Sequence, residues 1–259
     1  MTEDSLSANT IMEGMETRFI GRKVLYFPSV TSTNEIAKQE ARQGTDEGTV
    51  IITDEQTGGR GRLKRAWLTP EGNIALSIIL YPDISCLPSL IMLASLAVVH
   101  SIEETTDLKS QIKWPNDVLI NGKKVCGILI ESDVQGNNVN YVVIGIGINT
   151  NLRLSEYPEI QLTATSLYNE LGREVPRLSV VRHLLTQIER LYLIISTGRS
   201  IYEEWRGKLV TLGKSIRVTT GEAVYEGVAE SAAQDGSLIL RGLDGKLNKI
   251  VAGDVTLRN

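Results

Sequence analysis

The sequence predicts an α+β protein: a large unit with a mixed sheet and helices, followed by a small all-β module. Three observations carry this. Strand-like stretches come partly as hairpins, with Asn121-Gly122 between residues 118–120 and 124–132 as a strong two-residue turn signal. Helical patterns are few, so a doubly wound sheet fits poorly. From Leu209 onward, short strands are separated by Gly221-Glu222, Gln234-Asp235-Gly236, Asp244-Gly245 and Gly253-Asp254, as in a barrel-like module. The expected organisation is a lead-in over 1–20, a large unit over 21–208 and the β-module over 209–259.

Taken in order, residues 1–20 read as a frayed lead-in with one helical turn. Residues 24–27 form a strand that Pro28 ends, because proline has no N–H to give. Ser32 and Glu35 fit a capping box opening a helix to Gln43, where Gly44 stops it. A strand over 49–53 leads into a Gly/Arg segment. Residues 75–81 form an apolar strand, and 89–105 a mostly apolar helix packed on a sheet. Residues 124–132 are apolar enough for a central strand. The next strand, 141–148, contains Gly145 and Gly147, and glycine inside a strand marks close approach of a ligand or another backbone. Val180, Val181, Leu184, Ile188, Leu191 and Ile195 recur at helical spacing, which predicts a helix over 179–208.

Composition bounds the function. The chain has 259 residues, 42% hydrophobic and 22% charged, as in a soluble globular protein. Its formal net charge of -4 argues against a general nucleic-acid binder. Two cysteines, Cys86 and Cys126, and two histidines, His100 and His183, show no metal-ligand spacing, and the simplest reading is a reduced cytoplasmic protein. Cys126, inside an apolar strand, reads as core. Glu3, Asp4, Glu13 and Glu16 exclude a signal peptide over residues 1–17. The apolar stretch 90–99 is too short to span a bilayer.

The segment Gly58-Gly59-Arg60-Gly61-Arg62-Leu63-Lys64-Arg65-Ala66-Trp67 holds three glycines and three arginines and cannot build a core. Glycine permits close backbone approach, and arginine's planar fork fits carboxylate and phosphate oxygens. Trp67 adds a face for a flat ring. The loop reads as a clamp for an anionic small molecule, although composition by itself equally fits a solvated basic loop. Lys113, before Trp114-Pro115, can stand as a fixed charge in a cleft. Asp117 can help hold a magnesium ion beside phosphates, and Asn116-Asp117 also fits an Asx-type turn. Gln56 can donate and accept at once, which suits an uncharged head group with N–H and C=O. No nucleophile elbow, Walker-type loop or dinucleotide fingerprint is present, and the basic residues favour electrostatic catalysis of an anionic reaction over covalent catalysis.

Four segments, in this order, resemble the biotin protein ligases: Ser32-Thr33-Asn34; Gly59-Arg60-Gly61-Arg62 with Arg65 and Trp67; Lys113-Trp114-Pro115-Asn116-Asp117; and Gly145-Ile146-Gly147-Ile148-Asn149. The resemblance runs from about residue 20 to the C-terminus, where Ala252-Gly253-Asp254-Val255 looks like the family's SH3-like domain. It implies the family's class II synthetase-like catalytic fold and synthesis of biotinyl-5′-AMP from biotin and ATP with Mg²⁺. Biotin then passes to one lysine of a biotin carboxyl carrier domain of a carboxylase. Carried over by position, Ser32, Thr33, Asn34 and Gln56 hold the biotin head group, and Gly127, Gly145 and Gly147 line its pocket. Arg60, Gly61 and Arg62 fold over the biotin carboxylate and the phosphate, and Lys113 neutralises charge there; Lys113, Arg60 and Arg62 are the catalytic set. Arg65 and Asn116 serve ATP, Trp67 stacks on adenine and Asn149 hydrogen-bonds it. Asp117 is the magnesium candidate and a candidate base. Some members carry an N-terminal DNA-binding domain. Thirty-one residues precede Ser32, too few for it, so the expectation is a ligase with no nucleic-acid or membrane partner, acting as a homodimer. A lipoate ligase or octanoyltransferase relative, or a biotin-responsive binding protein, are the alternatives.

Overall fold

The computed structural model describes residues 6–221 and 223–257. Its centre is a seven-stranded mixed sheet. The strands are β1 (Val24–Val30), β2 (Val50–Gln56), β3 (Ile74–Leu80), β4 (Gln111–Lys113), β5 (Asp117–Ile120), β6 (Lys123–Gln135) and β7 (Asn138–Ile148), in the order β1-β2-β3-β7-β6-β5-β4. Only the β1–β2 pair is parallel. Parallel neighbours need a crossover, which α2 (Thr33–Arg42) supplies. Asn121 and Gly122 adopt φ of 50° and 78° between β5 and β6, the left-handed pair a type I′ hairpin requires.

Alternation along the strands sorts the two faces of the sheet. Val50, Ile52, Ile78, Leu80, Val142 and Ile144 join the main core, beneath α3 (Leu90–Thr106) and α5 (Arg177–Ser196). Ile51, Ile79 and Val143 point the other way and pack against Ala37 and Ala41 of α2. The helical stretch Ile84–Thr106 is by length and composition long and apolar enough to cross a membrane, contrary to the expectation from 90–99. A helix apolar all round is one buried on all sides, and α3 is buried along most of its length against α5 and the sheet.

Several sequence expectations are corrected. The lead-in is docked: α1 (Ala8–Met12) is capped by Ser7, and Leu6, Ile11, Met15 and Ile20 are buried. The Glu189 carboxylate accepts the N–H groups of Arg18, Phe19 and Ile20 at 2.6, 2.9 and 3.0 Å. Glu3 and Asp4 lie outside the described residues. β1 runs through Pro28, which an edge strand tolerates because the missing N–H can face away from the ladder. Ser32 does not cap α2 with its side chain, and Glu35 pairs with Lys38 instead. The helix expected over 179–208 begins at Arg177 and breaks after Ser196, with Gly198 at φ 76°; α6 (Tyr202–Gly207) follows separately. A short helix, α4 (Leu167–Leu171), carried no sequence expectation.

The second sheet is antiparallel: β8 (Ser215–Thr220), β9 (Ala223–Ala232), β10 (Leu238–Gly242), β11 (Leu247–Ile250) and β12 (Asp254–Leu257), ordered β11-β10-β9-β8-β12. Gly236 and Gly245 turn at φ 82° and 80°, as expected, while Asp254 already belongs to a strand; Glu222 of the expected Gly221-Glu222 turn lies outside the described residues. β4 is joined to the segment that leads into the second sheet. Ile112 N–H donates to Lys208 O at 2.8 Å and Val210 N–H to Ile112 O at 2.9 Å. Trp114, fully buried, donates its indole N–H to Gly236 O at 2.8 Å.

Candidate active site

Strand register builds the floor of the site. Ala75 pairs with Gly147, Gly147 with Gly127, Gly127 with Asp117, and Asp117 with Lys113. These residues form one row across β3, β7, β6, β5 and β4. The next row on the same face pairs Ser77 with Gly145 and Gly145 with Leu129. Rows of small residues leave a hollow, and a cavity of about 740 Å³ lies over them. It is lined also by Ser32, Thr33, Asn34 and Gln56 at one end, by the 60–68 loop, by Ile160, Leu162 and Ala164, and by Asp254 and Thr256 of the second sheet.

The Gly/Arg loop folds back on itself. Gly61 N–H donates to Arg65 O at 2.8 Å and Trp67 N–H to Gly59 O at 2.9 Å. A Cβ on Gly59 would stand 2.4 Å from Trp67 O, so only glycine fits there. Leu63 and Lys64 turn the tip at φ 55° and 60°, which non-glycine residues rarely adopt. Arg62 is drawn inward: it donates to Asn116 Oδ1 at 2.9 Å and to Gly253 O at 3.1 Å. Burial pushes its guanidinium below its ordinary pKa, against the pull of Asp254 and Asp117. Arg65 pairs with Asp254. The loop thus rests on the second sheet as well as the first.

The in-strand glycines were expected to admit a ligand. In the structure two of them admit side chains of this chain. A Cβ on Gly147 would lie 2.2 Å from Trp67 Nε1, and one on Gly145 2.1 Å from Asn34 Oδ1. Trp67 lies against Gly147 and Gly127, with Lys124 Nζ 5.2 Å from its ring centroid. That distance suits a cation–π contact.

The uncharged end is a hydrogen-bonded cluster. Gln56 Oε1 accepts Thr33 N–H at 2.9 Å, which takes over the capping that Ser32 does not provide, and Gln56 Nε2 donates to Thr69 Oγ1 at 3.2 Å. Ser77 Oγ lies 2.6 Å from Asn34 Oδ1 and 2.8 Å from Thr33 Oγ1. Asn34 Nδ2 donates to Glu131 at 2.7 Å.

The charged end gathers Arg60, Arg62, Lys113 and Lys124. Arg60 and Lys113 have no side-chain hydrogen-bond or ion-pair partner among the described residues. Lys124 pairs with Asp117 at 2.6 Å. Asn149 is buried, with its amide N–H on Thr165 O at 3.0 Å. Asn116, expected to serve ATP, holds Arg62 and donates to Ile128 O at 2.8 Å. Among the described residues no three His, Cys, Asp or Glu group as metal ligands, and the two lining carboxylates, Asp117 and Asp254, are ion-paired.

All the residues expected from sequence line this one cavity. Sequence reasoning missed Lys124, which lines the cavity, and Ser77 and Glu131, which hydrogen-bond the lining residue Asn34 from behind. Lys124 follows the Asn121-Gly122 turn, and that hairpin's register was the available signal for it. Ser77 and Glu131 look like ordinary strand positions until β3, β6 and α2 are brought together.

A neutral polar pocket joined to a cluster of cations suits one class of protein: an enzyme that holds an uncharged head group and reacts an anionic tail. Comparison with known proteins narrows the class. Residues 26–149 match the Biotin/lipoate A/B protein ligase family, and residues 211–258 match the Biotin protein ligase C terminal domain. The chain is 37% identical over 258 residues to the bifunctional ligase/repressor BirA of Bacillus subtilis (strain 168), covering 97% of this chain and 79% of that protein. It is 34% identical over 227 residues to the biotin--[acetyl-CoA-carboxylase] ligase of Paracoccus denitrificans, covering 83% and 92%. Its fold superposes on the biotin protein ligase from Aquifex aeolicus in complex with biotin and ATP, with TM-score 0.77 and 30% identity over 92% of this chain and 99% of that one. The chain belongs to the biotin protein ligase family.

Proposed function

We propose that this protein forms biotinyl-5′-AMP from biotin and ATP in the cavity, then transfers biotin to a lysine of a biotin carboxyl carrier domain. The observation that carries this is the polarity of the cavity, neutral at Thr33, Gln56 and Asn34 and cationic at Arg60, Arg62, Lys113 and Lys124. A fused-ring urea fits the first end and a carboxylate beside a triphosphate the second. The Aquifex aeolicus neighbour, solved with biotin and ATP, and the Paracoccus denitrificans relative, named for acetyl-CoA carboxylase, support the reading.

In the first step a carboxylate oxygen attacks the α-phosphorus. A C–O–P linkage forms, the bond to the β-phosphate bridging oxygen breaks, and pyrophosphate leaves. Two anions must meet, and fixed cations lower that barrier. In the second step a neutral lysine amine attacks the acyl carbon, AMP leaves with the bonding pair, and the amine loses its proton. Asp117 is the candidate base. Magnesium, when bound with the nucleotide, would shield its phosphates, and Asp117 would have to leave Lys124 to touch it. Arg60, Gly61 and Arg62 cover the reacting groups, Trp67 and Asn149 hold the adenine, and Arg65 acts by ordering the loop on Asp254. Domain limits at 21–208 and 209–259, pairing of two copies, a cytoplasmic site and the absence of a nucleic-acid partner complete the reading. Sedimentation and gel shifts with biotin and ATP test the pairing and the nucleic-acid statements.

The decisive experiment is exchange of labelled pyrophosphate into ATP, with biotin, lipoate and octanoate in parallel. Exchange with biotin alone supports the reading; exchange with lipoate alone moves the protein to the sister activity. Gln56→Ala removes the acceptor of Thr33 N–H and is expected to weaken biotin binding by about tenfold in calorimetry; unchanged affinity would remove Gln56 from the site. Arg60→Ala is expected to slow adenylate formation and shorten the adenylate's lifetime with little change in Tm. Equal yield and lifetime in variant and wild type would refute that role.

A further inference from the structure

The polar cluster beneath the cavity has a direction, and it is set outside the cavity. Glu131 sits on β6 and Lys38 on α2, with Lys38 Nζ 2.9 Å from Glu131 and 2.8 Å from Glu35. Burial pushes the Glu131 carboxyl up, but the Asn34 amide and Lys38 outweigh it and hold it below its ordinary value. Glu131 is therefore ionised at neutral pH and can only accept hydrogen bonds.

Each link then follows from counting protons. The Asn34 atom 2.7 Å from Glu131 must be its NH₂ group. That turns the Asn34 carbonyl toward Ser77 Oγ at 2.6 Å, and the contact requires Ser77's single proton. Ser77 Oγ is placed to donate to both Asn34 Oδ1 and Thr33 Oγ1, but it has one proton; the shorter bond to the amide oxygen takes it, and the 2.8 Å contact with Thr33 is then made with Thr33's proton. The competing donation from the Thr33 hydroxyl to Gln56 Oε1 spans 3.2 Å, the longest of these contacts, and that oxygen already accepts Thr33 N–H at 2.9 Å. Thr33 Oγ1 is left with lone pairs only. Gly145 belongs to the same device, since a Cβ there would displace Asn34.

We propose that Glu131, clamped by Lys38, is a positioning residue that makes the Thr33 hydroxyl an obligate acceptor, selecting a head group that presents N–H to it. This rests on the reading of the cavity as a biotin site, where the N–H belongs to the ureido ring.

The test is Glu131→Gln, alone and with Lys38→Met. Lys38 can only donate, so in the single variant it claims the new amide's oxygen and leaves NH₂ facing Asn34. Asn34 turns over, the chain reverses, and Thr33 directs a proton at the ligand's N–H. The biotin Kd from calorimetry is expected to rise about ten- to a hundredfold, with the KM for ATP within about twofold. Removing Lys38 frees the glutamine to offer its oxygen to Asn34. The double variant is therefore expected to bind biotin within about threefold of Lys38→Met, a rescue that a merely structural role does not produce. Ser77→Ala breaks the chain one link from Thr33 and gives an independent measurement, with a Kd increase of about fivefold or more. Wild-type affinity in both Glu131→Gln and Ser77→Ala overturns the proposal, as does a double variant weaker than either single one. A wild-type protein that binds no biotin overturns the site reading itself, and the proposal with it.

Discussion

Replacing Lys124 with methionine is expected to slow adenylate formation by about a hundred- to a thousandfold, the usual effect of deleting one fixed charge at a reacting anion. Lys124 is held on two sides, by Asp117 at 2.6 Å and by the face of Trp67 at 5.2 Å, so its ammonium is in place before substrates arrive. Lys113 lines the same cavity with no side-chain partner among the described residues and must be ordered by the ligand. Preorganised charge counts for more than charge that has to be gathered. The loss should fall on the rate of pyrophosphate release in a single turnover, with biotin affinity little changed. Folding should suffer by less than about 1 kcal/mol, since the Lys124–Asp117 pair is partly exposed to water and screened by it. A reduction below about threefold would pass the main role to Lys113.

Gly147→Val is expected to cost as much activity by a different route. Its Cβ would stand 2.2 Å from Trp67 Nε1, so the indole must leave the floor. The loop then loses its anchor on the sheet, and Arg60 and Arg62 lose the surface that aims them. The strand itself should survive, because Gly147 has extended backbone and valine suits a strand. Two readouts separate this from unfolding. Of the chain's three tryptophans, Trp114 and Trp205 are fully buried, so a red shift of emission at unchanged Tm reports Trp67. Trypsin should cut at the loop's Arg60, Arg62, Lys64 and Arg65 about tenfold faster, as expected of a freed, exposed segment. Wild-type emission with wild-type activity would show that the indole can move aside without consequence.

What could be read from the sequence had a local cause. The Asn121-Gly122 hairpin follows from left-handed φ at consecutive residues, a demand few dipeptides meet. The segment 58–67 showed that it could not build a core, the four motifs of the resemblance turned it from a basic loop into an expected anion clamp, and the residues of those motifs line one cavity. The apolar helix over 89–105 was visible from composition alone. Errors arose where a remote partner intervened. The Ser32–Glu35 box is absent: Gln56 caps the helix start at Thr33 N–H, and the Glu35 carboxylate is paired with Lys38. The lead-in is ordered because Glu189, some 170 residues away, accepts three of its N–H groups.

The sequence alone thus determined most strands, the long helices and the kind of ligand expected, since φ preferences, periodicity and side-chain charge are properties of short stretches. Tertiary structure alone decided what each glycine admits, which lysine is fixed over the floor, and which way the hydrogen bonds run from Thr33 to Glu131. Those depend on the register of β3, β5, β6 and β7 and on α2 lying across them. Strand pairing joins residues far apart in the chain, and one residue's slip would turn every one of these side chains to the opposite face.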